Sequence, residues 1–125
     1  MDLKEDKLVA SLLREARYAE LEKYMASVDL RGLAASWGRF SALDKLVLFK
    51  LFDAARALDF YACLPFKEKY FLLCGFPLSA IAPVLEKLKP SQRLLFVQLP
   101  RDFYDRMFRE LVSERVEMTV SLRNN

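Results

Sequence analysis

Three stretches of this chain share one pattern. VLFKLFD at 47–53, FLLCGFP at 71–77 and LLFVQLP at 94–100 are each an apolar helix end closed by Asp or Pro, spaced by 24 and 23 residues. Self-similarity at a short fixed period constrains a fold strongly, because each unit must bury its apolar face against a neighbour.

The segments that follow also align. DAARALDFYACL starts at Asp53, PLSAIAPVLEKL at Pro77 and PRDFYDRMFREL at Pro100. Ala57, Ile81 and Tyr104 correspond, as do Phe60, Val84 and Met107, then Tyr61, Leu85 and Phe108, then Leu64, Leu88 and Leu111. DLRGLAASWGRF, from Asp29, extends the pattern backward with Leu33 on Ala57, Trp37 on Tyr61 and Phe40 on Leu64. SERVEMTVSL extends it forward, with Leu122 on Leu99.

Each unit reads as two short helices. The first opens at Asp or Pro, both good helix starters. Its apolar residues recur at i, i+3, i+4 and i+7, as in Ala57, Phe60, Tyr61 and Leu64. The second opens near Ser41, Pro65, Pro90 or Ser113 and is apolar on most sides, so it is expected to be buried on most sides. Ahead of the units, Leu8, Leu12 and Leu13 share one helix face, and Tyr18, Leu21, Met25 and Val28 share another. These two lead helices are expected to cap the stack. No β pattern competes. The expected organisation is one domain over 1–125, with lead helices at 1–28 and units at 29–52, 53–76, 77–99 and 100–123.

Tyr70–Leu85 carries no charge, but its 16 residues fall short of a membrane span of about 20. Gly75 and Pro77 read as a helix stop and a helix start, which makes the run the inner layer of the stack, and Pro83 implies a kink or a loose first turn. The chain is 54% hydrophobic and 30% charged, which supports a soluble core. Its net charge of +3 is dispersed, so a nucleic-acid partner is not expected. The charged N-terminus lacks a signal-peptide pattern, and Cys63 and Cys74 read as buried free thiols. A cytoplasmic setting is expected.

The inventory for chemistry is poor. There is no histidine, no Gly-rich phosphate loop and no zinc-ligand spacing. A non-catalytic role is therefore expected. Asp102 and Asp105 share a helix face and, with Asp53 and Asp59, are the candidate ligands for a hard cation such as Mg²⁺, which commonly takes only one or two carboxylates. The simpler reading is a salt-bridged surface, with Asp53 a helix cap. Phe66 and Phe103 fall off the repeat register and are expected on an exposed face. With Arg101, Asp102 and Asp105 they form the candidate partner-binding set.

REARYAELEKYMASVDLRGLAASWGRFSALDKLVLFKLFDAARALDFYACLP resembles the N-terminal cytosolic domain of MgtE-type magnesium transporters. The matching residues are Asp29, Leu33, Ala34, Trp37, Leu48, Phe49, Leu51 and Phe52, and the likeness spans about 12–122. FPLSAIAPVLEKLKPSQRLLFVQLPRDFYDRMFREL is also similar to the middle part of the flagellar switch protein FliG, although an EHPQ-like signature is absent. The resemblance implies an all-α, right-handed superhelical stack of short helix pairs, a solenoid of armadillo or HEAT type with an N-terminal capping pair. It also implies a regulatory domain that senses Mg²⁺ together with CBS domains and helps close a transporter pore. Neither CBS domains nor transmembrane helices follow in this sequence, and its net charge is basic where the family is acid-rich. The partner implied is a protein, a membrane transporter or a motor component at the inner face of the membrane. The other reading is a FliG-like docking scaffold without a metal.

Overall fold

The computed structural model describes residues 3–74, 82–93, 102–103 and 105–113, and every regular element among them is a helix. α1 (Leu3–Arg14) and α2 (Tyr18–Met25) lead. α3 (Leu30–Ser36) runs into a 3-10 turn (Trp37–Arg39), followed by α4 (Ala42–Lys50), α5 (Ala54–Ala62) and α6 (Phe66–Cys74). α7 (Ala82–Leu85), α8 (Pro90–Arg93) and helical residues 105–113 complete the described elements.

Local sequence accounts for the helix starts. Asp29, Ser41 and Asp53 have extended backbones, and their side-chain oxygens accept the N–H groups of Gly32 (3.1 Å), Asp44 (3.2 Å) and Arg56 (2.9 Å). Each such cap contributes about 1 kcal/mol. Pro65 precedes α6, and its carbonyl accepts from Glu68 and Lys69 at 3.0 and 3.1 Å. α1 ends differently. Ala16 has φ 55°, while the Arg17 N–H donates to the Leu12 carbonyl (2.9 Å) and the Ala16 N–H to the Leu13 carbonyl (3.1 Å). This is a Schellman cap with alanine where glycine is usual.

The core follows the repeat through the first two units. Leu33 and Ala57 are fully buried, and so, to within a per cent, are Trp37 and Tyr61. α4 and its C-terminal turn are buried on nearly all sides, through Leu46, Val47, Leu48, Phe49, Lys50, Leu51 and Phe52. Aromatic rings join the layers: Trp37 meets Phe60 edge-on at 4.8 Å, and Phe52 lies 5.3 Å from Phe60. Such pairs add about 0.5–1.5 kcal/mol beyond the area they bury.

Two polar clasps lock the helices in order. Arg56 on α5 donates from Nε to the Met25 carbonyl (3.0 Å) and from Nη2 to the Val28 carbonyl, and its guanidinium lies over the Phe52 ring. It thus satisfies the carbonyl of Met25 at the end of α2 and that of Val28 in the connection to α3. Trp37 Nε1 donates to Glu68 Oε2 (3.2 Å), and Lys45 Nζ donates to Glu68 Oε1 (2.8 Å), which ties the first unit to α6.

Several expectations need correction. On α1 the buried residues are Val9 and Leu12, while Leu8 is 46% exposed, because α2 meets the face one residue further round. Cys63 is exposed: it is the C-cap residue of α5, at the edge of the face that buries Ala57, Phe60 and Tyr61, and its thiol donates weakly to the Asp59 carbonyl (3.4 Å). Tyr70 on α6 is exposed, so the apolar run does not begin inside the core. Described residues of 102–113 pack back on the first two units. The Tyr61 hydroxyl donates to the Met107 carbonyl (3.1 Å), Phe103 sits 6.4 Å from Phe49, and Lys69 pairs with Glu110 at 3.6 Å. A straight stack, in which each unit touches only its neighbours, would keep these residues apart. Among the described residues no helix is long and apolar enough to cross a membrane. Gly75, Pro77 and Ile81 lie outside the described residues.

Candidate docking surface

The start of α5 and the segment beginning at Asp102 form one cleft. Ala54, Ala55 and Leu58 make one wall, and Asp102, Phe103 and Arg106 the other, around about 260 Å³. The alanines leave the space, and the Asp102 and Arg106 carboxylate and guanidinium meet across one helical turn at 3.7 Å. Asp53 caps the helix that supplies the first wall.

The predicted site residues separate into three groups. Asp102 and Phe103 come together at this cleft, beside the helix that Asp53 caps. Phe103 corrects the expectation: it is 3% exposed and packs on Phe49. It shares a buried stripe with Met107 and Leu111, four and eight residues on, and the stripe meets Phe49 of the first unit and Tyr61 of the second. The exposed ring is Phe108, at 56%, although the alignment pairs it with fully buried Tyr61. Asp105 is exposed, and its carbonyl accepts from Arg109 Nε at 3.3 Å. Asp59 is exposed on the outer side of α5. Phe66 is half-buried on α6, stacked on Tyr70 at 6.5 Å, and does not line the cleft. Arg101 lies outside the described residues.

The carboxylates do not gather. Among the described residues no three Cys, Asp or Glu side chains are grouped closely enough to hold a metal ion. Asp53 is committed to a backbone N–H and Asp102 to Arg106.

A second, larger cleft of about 360 Å³ was not anticipated. α1 supplies Asp6, Lys7, Ala10, Leu13 and Arg14, and the turn into α4 supplies Arg39, Phe40 and Asp44. Asp6 is mostly buried: Oδ2 pairs with Arg39, and the buried Oδ1 has no hydrogen-bond partner. The alternation of Lys7, Ala10, Leu13 and Arg14 at helical spacing was the available signal.

Two buried groups show perturbed acidity. Desolvation lowers the pKa of Lys50, and burial, with the nearby Asp44 charge second, raises that of Tyr18. Neither lines either of the two clefts described above. Compared with known families, characterised proteins and solved structures, the chain matches none, so the likeness to MgtE-type and FliG domains rests on the residues quoted above.

Proposed function

We propose that this chain is a non-catalytic docking module, of the kind that regulates MgtE-type transporters from the cytoplasmic side of the membrane. Its helix pairs wind into a right-handed superhelix, tight enough for the fourth unit to return to the first two. The observation that carries this reading is the equivalence of the first two units. Asp29 and Asp53 make the same cap, and Leu33, Trp37, Ala57 and Tyr61 take the same buried places 24 residues apart. Such a stack offers a rigid edge of helix starts, and the cleft beside Asp53, with Asp102 and Arg106 at its rim, lies on that edge.

A metal-free scaffold of FliG type is the second reading. It is favoured by the engagement of Asp53 and Asp102 with protein groups. Thermal unfolding with and without millimolar Mg²⁺, against Ca²⁺ and ionic-strength controls, separates the two. A ligand that binds only the folded state raises Tm by mass action. A Mg²⁺-specific rise supports the sensor; its absence leaves the scaffold. Affinity capture with the intact chain and with Asp102→Ala/Arg106→Ala tests the edge. Unchanged recovery of every bound transporter or motor component would reject it.

A further inference from the structure

The larger cleft differs in electrostatic character from the α5 edge. Lys7, Arg14 and Arg39 are all exposed at its rim. The two acids lie deeper: Asp6 keeps 11% of its side chain exposed and is engaged by Arg39, and Asp44 is half-buried. An approaching partner therefore meets Lys7 and Arg14, two cations unpaired among the described residues, and the Asp6-compensated Arg39 around a largely apolar floor of Ala10, Leu13 and half-buried Phe40. Lys7 and Arg14 are seven residues apart on α1, hence on one face and roughly 10 Å apart along its axis. That is also the separation of positions i and i+7 on a second helix.

We propose that this cleft docks an acidic amphipathic helix of a partner protein. Carboxylates at i and i+7 meet Lys7 and Arg14, and apolar residues at i+3 and i+4 enter between them onto Leu13 and Phe40. Arg39, oriented by Asp6, supplies its remaining N–H donors at the rim. Matched charge at the rim sets orientation and association rate, and the apolar anchors supply the affinity. The surface shares no lining residue with the α5 cleft, so it stands or falls independently of that edge and of any Mg²⁺ response.

The test uses a fluorescein-labelled helical peptide with glutamate at i and i+7 and leucine and phenylalanine at i+3 and i+4, titrated with the full chain. Saturable anisotropy is expected, with binding weakened about tenfold in Lys7→Glu/Arg14→Glu and weakened by added salt. NMR shifts should localise to Ala10, Leu13 and Phe40. Arg109→Glu, an exposed reversal on helix 105–113, should leave binding unchanged. Far-UV circular dichroism confirms that each variant is folded. The proposal is overturned if the peptide does not saturate, if Arg109→Glu weakens it equally, or if a lysine-for-glutamate peptide binds as well. Preference for anionic lipid vesicles over the peptide would overturn it in favour of a membrane surface.

Discussion

Phe103→Ala is the most informative single change, because sequence and structure assign this residue opposite places. An exposed docking phenylalanine can be truncated with little loss of stability. A phenylalanine that is 3% exposed and set against Phe49 cannot. Phe→Ala in a core costs about 3–5 kcal/mol, from lost transfer energy and from the cavity left behind. Phe103 forms one wall of an open cleft, so the space can partly collapse or fill with water, and we take about 3 kcal/mol. For a chain of 125 residues that lowers Tm by roughly 10–15 °C. Urea unfolding followed by circular dichroism measures it, with an unchanged m-value showing that the unfolding reaction is the same. Phe103→Leu should cost about 1 kcal/mol. Phe108→Ala, truncating the exposed neighbour, should cost less than about 0.5 kcal/mol. If Phe103→Ala costs under about 1 kcal/mol while Phe108→Ala costs several, the buried face of residues 102–113 is wrong and the sequence register was right.

Three further outcomes follow from the same contacts. Ala16→Gly should stabilise the chain by about 0.5–1 kcal/mol in urea, because alanine at φ 55° carries a strain that glycine lacks, partly offset by glycine's freer unfolded chain. Arg56→Met keeps the stem but removes the donors to the Met25 and Val28 carbonyls, and should cost about 2 kcal/mol by the same assay. Lys50→Met should be more stable than the parent at pH 7, with a gap that closes as pH rises. The folded-state pKa of Lys50 lies below its ordinary 10.5, so between the two values the unfolded chain binds more protons and parental stability climbs with pH. Tyr18, with its raised pKa, acts in the opposite direction above its ordinary 10.0, but equally in both proteins, so it cancels from the difference in urea midpoints.

The helices were legible wherever local chemistry decides. Asp29, Ser41 and Asp53 are good caps in any context, and the structure uses all three. The α2 face of Tyr18, Leu21, Met25 and Val28 follows from period alone and is buried as expected. What failed was the choice between adjacent residues on a broad apolar face. Leu8 against Val9 and Phe103 against Phe108 are decided by the direction from which a neighbour arrives, and periodicity does not encode that direction. Cys63 misled for a related reason: three residues after Phe60 it shares the helical period of the core, but it stands at the C-cap of α5, where the helix ends and the thiol is left exposed. At the candidate docking surface, Asp102 was legible from charge and Arg106 only as its neighbour, while Ala54, Ala55 and Leu58 gave no signal of a cleft.

The divergence between α5 and its counterpart at 102–113 has one physical cause. α5 is flanked twice, by α3 on one side and by residues 102–113 on the other, and so buries a wide face of Ala57, Phe60, Tyr61 and Leu64. The later helix carries a comparably wide apolar stripe, but its described contacts draw in Phe103, Met107 and Leu111 and leave Phe108 and Val112 exposed. Sequence equivalence thus specifies what each unit can bury, and the number and direction of its neighbours decides how much of that surface it does bury. The same distinction explains the charged clefts. Lys7 with Arg14, and Asp102 with Arg106, occupy helix faces whose apolar strips are too narrow to demand a neighbour of their own. They acquire a floor only when a second element passes beside them.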